Sequence, residues 1–176
     1  MTIVDAVLGI DQSLTSTGLA GVDWAYSLKT PASLISGHER LAKIEREIFN
    51  LVDTGPVRVA VIERPAYGAV GNAKTQLAGL FTLITHLLWE LGIPYAVVTS
   101  TNLKKFVTGN GKATKQDMIK TVSSYFPELG KLDSDQADAH GLVQMGHAYY
   151  YTPLLPLRKE QIEALAVPDW PTRLGD

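Results

Sequence analysis

Two short apolar runs in this sequence each stop on an acid: residues 4–11 read VDAVLGID and residues 57–63 read VRVAVIE. Runs this rich in Val and Ile, and too short for helices, read as strands of a buried sheet. An ionised carboxylate is costly to bury without a partner, so Asp11 and Glu63 belong at the sheet's rim, where something neutralises them. If the two strands are parallel neighbours, both acids emerge beyond their carboxyl ends, where open α/β sheets bind ligands. A chain built around these strands is constrained to an α/β sheet with polar chemistry at one end.

The remaining segments fill in that sheet. Leu14–Thr17 makes a polar turn, and Gly18–Val22 and Trp24–Leu28 predict two more strands in a meander. Ser36 and Glu39 have capping-box spacing ahead of a helix carrying Leu41, Ile44, Ile48, Leu51 and Val52, which Gly55 and Pro56 stop. A loop over Arg64–Gly71 leads into a long helix through Leu77 and Leu91, and Ile93–Val98 predicts a further strand. A short helix near Asn102–Val107 follows, then one capped by Thr114 and running to about Tyr125, then a long one from Ser134 to about Tyr151. Strands first and β/α alternation afterwards predict a mixed five-stranded sheet with helices on its faces. The expected division is one domain over 1–151 and a Pro-rich tail over 152–176, with a short helix near Arg158–Ala166.

Composition narrows the class. With 176 residues, 45% hydrophobic and 19% charged, the chain has enough apolar material for a core and too little charge for a disordered polyelectrolyte. The longest apolar run, Leu77–Trp89, is broken by Gly79, Thr82, Thr85 and His86, so no spanning helix is expected. The first residues show no basic region ahead of an apolar stretch, and Cys is absent; both fit a cytoplasmic protein. Charge is unevenly spread. Lys104, Lys105, Lys112, Lys115 and Lys120 with Asp117 make a local +4 in a chain of net charge −2, which leaves −6 elsewhere. One basic segment on an acidic body suits an anion such as phosphate, although a solvated helix face has the same look.

Two more acids, Asp135 and Asp138, stand at i and i+3 on one helix face that Leu142, Met145 and Tyr149 continue. The apolar continuation packs on the body, and the acids sit near the helix N-terminus, where the macrodipole favours them. Read alone, Asp135 is equally an ordinary first-turn acid. Four acids in one place repel unless a hard divalent cation joins them, and oxygen-only ligation fits Mg²⁺ or Mn²⁺. Two such ions about 3.5–4 Å apart clamp both oxygens of a phosphodiester displacement.

At this point the motifs resemble a known family. Gly9-Ile-Asp-Gln-Ser-Leu-Thr-Ser-Thr-Gly18 is similar to the first-strand motif of RuvC-type Holliday-junction resolvases, and Val61-Ile-Glu63 to their second acidic motif. Leu103–Lys115, with its Thr-Gly-Asn-Gly turn, resembles their basic segment, and Asp135-Gln-Ala-Asp-Ala139 their last acidic motif. The resemblance spans roughly residues 7–150. It implies an RNase H-like fold, a homodimer, and Mg²⁺-dependent, symmetric nicking of a four-way DNA junction. Asp11, Glu63, Asp135 and Asp138 match the metal-binding acids, Asp11 bridging two ions. Lys104 and Lys115 match basic residues near the scissile phosphate or the DNA backbone, Lys115 steadying the phosphate or the developing charge. Lys105 and Lys112 join them as expected DNA contacts. Tyr67 lies one place from the family's junction-probing aromatic, and is either a stacking wedge or a surface tyrosine.

Other readings stay open at this level. The first motif also resembles the phosphate loop of sugar kinases and actin-like ATPases, but those pair two related domains in a much longer chain. A nuclease for flaps, forks or RNA–DNA hybrids would share the fold and the acids. A non-catalytic junction binder would have no use for the acids. His38, His86, His140 and His147 lack chelating spacing; only His140, near Asp138, is a candidate neighbour of the site.

Overall fold

Val7–Asp11 (β1), Ser16–Ala20 (β2), Ala25–Lys29 (β3), Val59–Glu63 (β4) and Tyr95–Val98 (β5) form one sheet in the order β3-β2-β1-β4-β5. The computed structural model describes residues 6–35, 37–65 and 72–172. β1, β4 and β5 run parallel, and β2 and β3 are antiparallel to their neighbours. The helices are Gly37–Thr54 (α1), Asn72–Glu90 (α2), Ser100–Thr108 (α3), Lys115–Tyr125 (α4), Ser134–Tyr150 (α5) and Lys159–Leu165 (α6). The mixed five-stranded sheet is the one expected. The second strand lies two residues earlier than the expected Gly18–Val22, because the Gly21 N–H closes a tight turn onto the Trp24 carbonyl (3.0 Å). Ser36, and with it the expected capping box, lies outside the described residues, as does most of the Arg64–Gly71 loop.

Strand alternation divides the core into two layers. Leu8, Ile10, Leu19, Ala60 and Ile62 pack against Ile44 and Ile48 of α1 and Leu80, Ile84 and Leu88 of α2. Val7, Ala20, Val59, Val61 and Val98 face the other way, onto Leu103 and Phe106 of α3, Met118 of α4, and Leu142, Val143 and Met145 of α5. Helices therefore cover both faces. α5 lies across the middle of its face and is buried without interruption from Ala139 to His147. Among the described residues no helix is long and apolar enough to cross a membrane.

The approach of α5 depends on two missing side chains. A Cβ at Gly9 on β1 would stand 2.1 Å from the Ala139 carbonyl oxygen, and one at Gly18 on β2 the same distance from that of Asp135. The first-strand motif thus lets a helix lie directly on the sheet, and its glycines set the height at which Asp135 and Asp138 ride. Gly18→Ala is expected to force α5 outward. We expect it to cost roughly 3 kcal/mol, as overpacking does, and to lower the melting temperature measurably; an unchanged melting curve would contradict this packing.

The segment after Tyr151 folds back onto the body. α6 lies on α3, where the Asn102 side-chain amide donates to the Ala164 carbonyl (2.7 Å). Trp170 stacks on Tyr149 (centroids 4.6 Å) and donates from Nε1 to the Leu165 carbonyl (2.7 Å).

Candidate active site

Three elements of the sheet face meet at one end. Asp11 is the last residue of β1 and pairs with Gly18 of β2; one step past the Ile10–Ile62 pair, Glu63 ends β4 beside it. Because Gly18 lies under the Asp135 carbonyl, the first turn of α5 comes down next to Asp11. That turn is held by a reciprocal cap, in which the Asp133 carboxylate accepts from the Gln136 N–H (3.0 Å) and the Gln136 side chain from the Asp133 N–H (2.7 Å). Asp11, Glu63, Asp135 and Asp138 are all partly buried.

The acids act on one another. Burial first, then Glu63, Asp138 and Asp135, hold the Asp11 carboxyl well above the usual carboxylate range, against the pull of Lys115. Burial and the charge of Asp138 push Glu63 up to about 7, opposed by a hydrogen bond from Ser100 and by Lys104 and Lys115. Burial raises Asp138 to about 6; Lys104 and Lys115 pull it down and Asp135 adds to the rise. Asp11 is the hub, the one acid that all three others act upon. The Glu63 Oε2 and Asp138 Oδ1 atoms are buried with no hydrogen-bond partner, the condition of oxygens that lack a cation.

The basic segment supplies two of the expected lysines to this cluster. Thr99 caps α3, which carries Ser100 and Lys104 towards Glu63. Thr114 and Asp117 form the capping box of α4 and set Lys115 at its first position. Asp117 is held low by the Thr114 N–H and hydroxyl, so the acid of this segment serves the helix end. Lys105 instead pairs with Glu163 of α6 (2.7 Å), and Lys112 is exposed on the turn that Asn110 shapes by accepting its N–H (3.0 Å). Tyr67 lies outside the described residues. His140 is a core residue and not part of the acid cluster: its Nε2 faces the Val22 carbonyl (3.0 Å), its Nδ1 the Gln144 amide (3.1 Å), and its ring Phe126.

One partner of the cluster escapes a reading of the sequence. Asp135 accepts a short hydrogen bond from the Ser16 hydroxyl and lies 3.6 Å from Lys29 Nζ. Lys29 also donates to Ser16 Oγ (2.6 Å) and to Asp133 (3.0 Å), which accepts in turn from Ser27 (2.8 Å). Ser27 and Lys29 share one face of β3, so the edge strand ties down the helix start that bears two of the acids. The alternation of Ser27 and Lys29 was the available signal, but a Ser-x-Lys at a strand end is too common to single out. Among the described residues no three His, Asp or Glu side chains stand so that they could hold one metal ion together. The donor set, carboxylates alone, suits a hard divalent ion in its chemistry.

Comparison with known proteins agrees with this geometry. No family profile matches the chain. The crossover junction endodeoxyribonucleases RuvC of Burkholderia pseudomallei and Burkholderia ambifaria are 31% and 32% identical to it over 147 residues, covering 77% of the chain and 79% and 78% of those proteins. The Thermus thermophilus RuvC structure superposes with a TM-score of 0.62 at 20% identity, covering 81% of the chain and 94% of its own. The yeast mitochondrial Holliday junction resolvase superposes at 0.52 and 12% identity, over 80% of the chain and 76% of its own. These likenesses show the RNase H-like fold. By sequence identity over most of both lengths, and with the acids of three separate elements gathered at one sheet end, the chain belongs to the RuvC family of crossover junction endodeoxyribonucleases.

Proposed function

We infer that this protein is a structure-selective endodeoxyribonuclease that resolves four-way DNA junctions by hydrolysing phosphodiester bonds. The observation that carries the reading is the meeting of Asp11, Glu63 and Asp138 with Lys104 and Lys115. A buried acid cluster alone repels a phosphate; two lysines from neighbouring helices draw the polyanion to it. Mg²⁺, or Mn²⁺ in its place, is the cation we assign here. Asp11, Glu63 and Asp138 would hold it, with Asp135 joining on release from Lys29, and four acids leave room for two ions. Such an ion, when bound, supplies charge neutralisation at the phosphate oxygens and favours the ionised form of water. The chain's own groups do the positioning. Lys115, exposed at the first turn of α4, meets a non-bridging oxygen of the scissile phosphate. Ser100 and Lys104 fix Glu63. The nuclease body spans 1–151, and the tail 152–176 serves, in its described part up to residue 172, as a strap across α3 and α5. A four-way junction has two equivalent strands to cut, so a homodimer, in the cytoplasm with the DNA, completes the reading.

The test is cleavage of a labelled four-way junction beside matched linear and flap substrates, with Mg²⁺ and with chelator, and sedimentation of the protein in parallel. Paired nicks at symmetric positions on the junction alone, dependent on the ion, from a species of twice 19.1 kDa, are the expected result. Cleavage of flaps instead would keep the nuclease and move the substrate. Tight binding without cleavage in any divalent ion would make the protein a junction binder.

A further inference from the structure

Lys29 is the last residue of β3, and β3 runs parallel to β1 with β2 between them, so Lys29 comes out at the same end of the sheet as Asp11 and Glu63. It stands directly across from Ser16 of β2, two residues before the Gly18 on which the first turn of α5 rests. Alternation along β2 puts Ser16 and Gly18 on one face, the face of α5. Lys29 therefore reaches the cluster from the β3 edge, while Lys104 and Lys115 act on it from α3 and α4. The acid it meets is Asp135. Its Nζ lies 3.6 Å from Asp135 Oδ2 and donates to Ser16 Oγ (2.6 Å), and the Ser16 hydroxyl donates in turn to the same Oδ2. Neutralisation stops there, because Glu63 Oε2 and Asp138 Oδ1 stay buried with no partner. One ammonium is only a partial substitute for a hard divalent ion among several carboxylates. Lys29 is exposed, so giving up the Asp135 contact costs little. It also has a second acid to keep, Asp133 Oδ2 at 3.0 Å, in a carboxylate that Ser27 and the Gln136 N–H hold in place.

We propose that Lys29 is a built-in counter-ion of Asp135, which a divalent cation entering the acid cluster displaces onto Asp133. Lys29 is then a positioning residue that sets the ion concentration at which the cluster fills. The identity of the cation rests on the nuclease reading above. Competition fixes the sign of the effect. An ion that takes Asp135 has to replace what Lys29 gives it, and the ammonium left nearby repels the newcomer. A purely structural tie between β3 and α5 would act the other way: cutting it would loosen the helix start that bears two of the acids and weaken cation binding.

The test is a calorimetric titration of Mg²⁺, without DNA and at fixed ionic strength, into wild type, Lys29→Met and Lys29→Arg. Lys29→Met is expected to bind Mg²⁺ about fivefold more tightly than wild type, the size of an exposed ion pair removed from the competition. Lys29→Arg keeps the charge and is expected to stay within about twofold of wild type. In wild type, the Lys29 Cε and Nζ magnetic resonances are expected to move as Mg²⁺ is added, over the range in which calorimetry shows the ion to bind. That measurement carries the test even if Lys29→Met does not fold. Equal or weaker Mg²⁺ binding by Lys29→Met, or Lys29 resonances that stay still while the ion binds, would overturn the proposal and leave the nuclease reading intact. Mg²⁺ binding of the expected order with no cleavage of the junction would count against the nuclease reading and uphold the counter-ion. Wild type that binds no Mg²⁺ would overturn the proposal together with the assignment of the cation.

Discussion

Asp11→Asn is expected to abolish junction cleavage, by at least about a thousandfold, while junction affinity in chelator stays within about threefold of wild type. Asn has the shape of Asp, so β1 and its packing beneath α5 are preserved. What disappears is the charge at the hub, on which Glu63, Asp138 and Asp135 all act. Loss of any other acid leaves Asp11 paired with two more; loss of Asp11 separates Glu63 from Asp135. Affinity survives because Lys104 and Lys115 are untouched, and removing one negative charge eases the approach of the backbone. Single-turnover cleavage and a binding titration on the same preparation check both halves. Cleavage at the wild-type rate would remove Asp11, and the site built around it, from the chemistry. Loss of binding along with cleavage would show that the substitution damaged the fold.

The frame of this site was legible because it depends on local rules. An apolar run that ends on an acid places that acid at a sheet rim, and two parallel neighbours bring Asp11 and Glu63 together. Asp135 and Asp138 were legible from their i, i+3 spacing at a capped helix start. What could not be read is what depends on contacts across the chain. That Gly9 and Gly18 are the floor on which α5 lies needs the docking of residues more than 100 positions later. Lys29 reaches Asp133 and Asp135 only because β3 is the edge strand beside that docked helix. Lys105 looked like its neighbour Lys104, yet one helix position turns it to Glu163, in a tail whose packing no motif announced. Arg40, in the first turn of α1, is buried although no local rule singles it out.

A site that gathers acids in this way should weaken the protein when no divalent ion is present, and the sign can be worked out. Glu63 rises from 4.5 to about 7 and Asp138 from 3.8 to about 6 on folding. Between the ordinary and raised values the folded state holds more protons than the unfolded one, so stability falls as pH rises through that window. The penalty is complete above about pH 7, and each group alone contributes about 3 kcal/mol. The two are not additive, since Asp138 is itself a cause of the rise at Glu63. His147 works the other way: burial lowers it from 6.5 to about 4, so its effect on stability grows with pH up to 6.5 and then stops. Above pH 6.5 the acids alone remain. In chelator the melting temperature is therefore expected to fall between pH 6.5 and 8. Asp138→Asn, which removes one charge and relieves Glu63, is expected to melt on the order of 5–10 °C higher than wild type at pH 8. Mg²⁺ should restore most of that difference to wild type and add little to the variant. Melting that is flat over this pH range and indifferent to both Mg²⁺ and the substitution would mean that the acids do not strain one another. The gain expected in Asp138→Asn would come with lost cleavage, because the repulsion that weakens the empty site is what drives a cation into it.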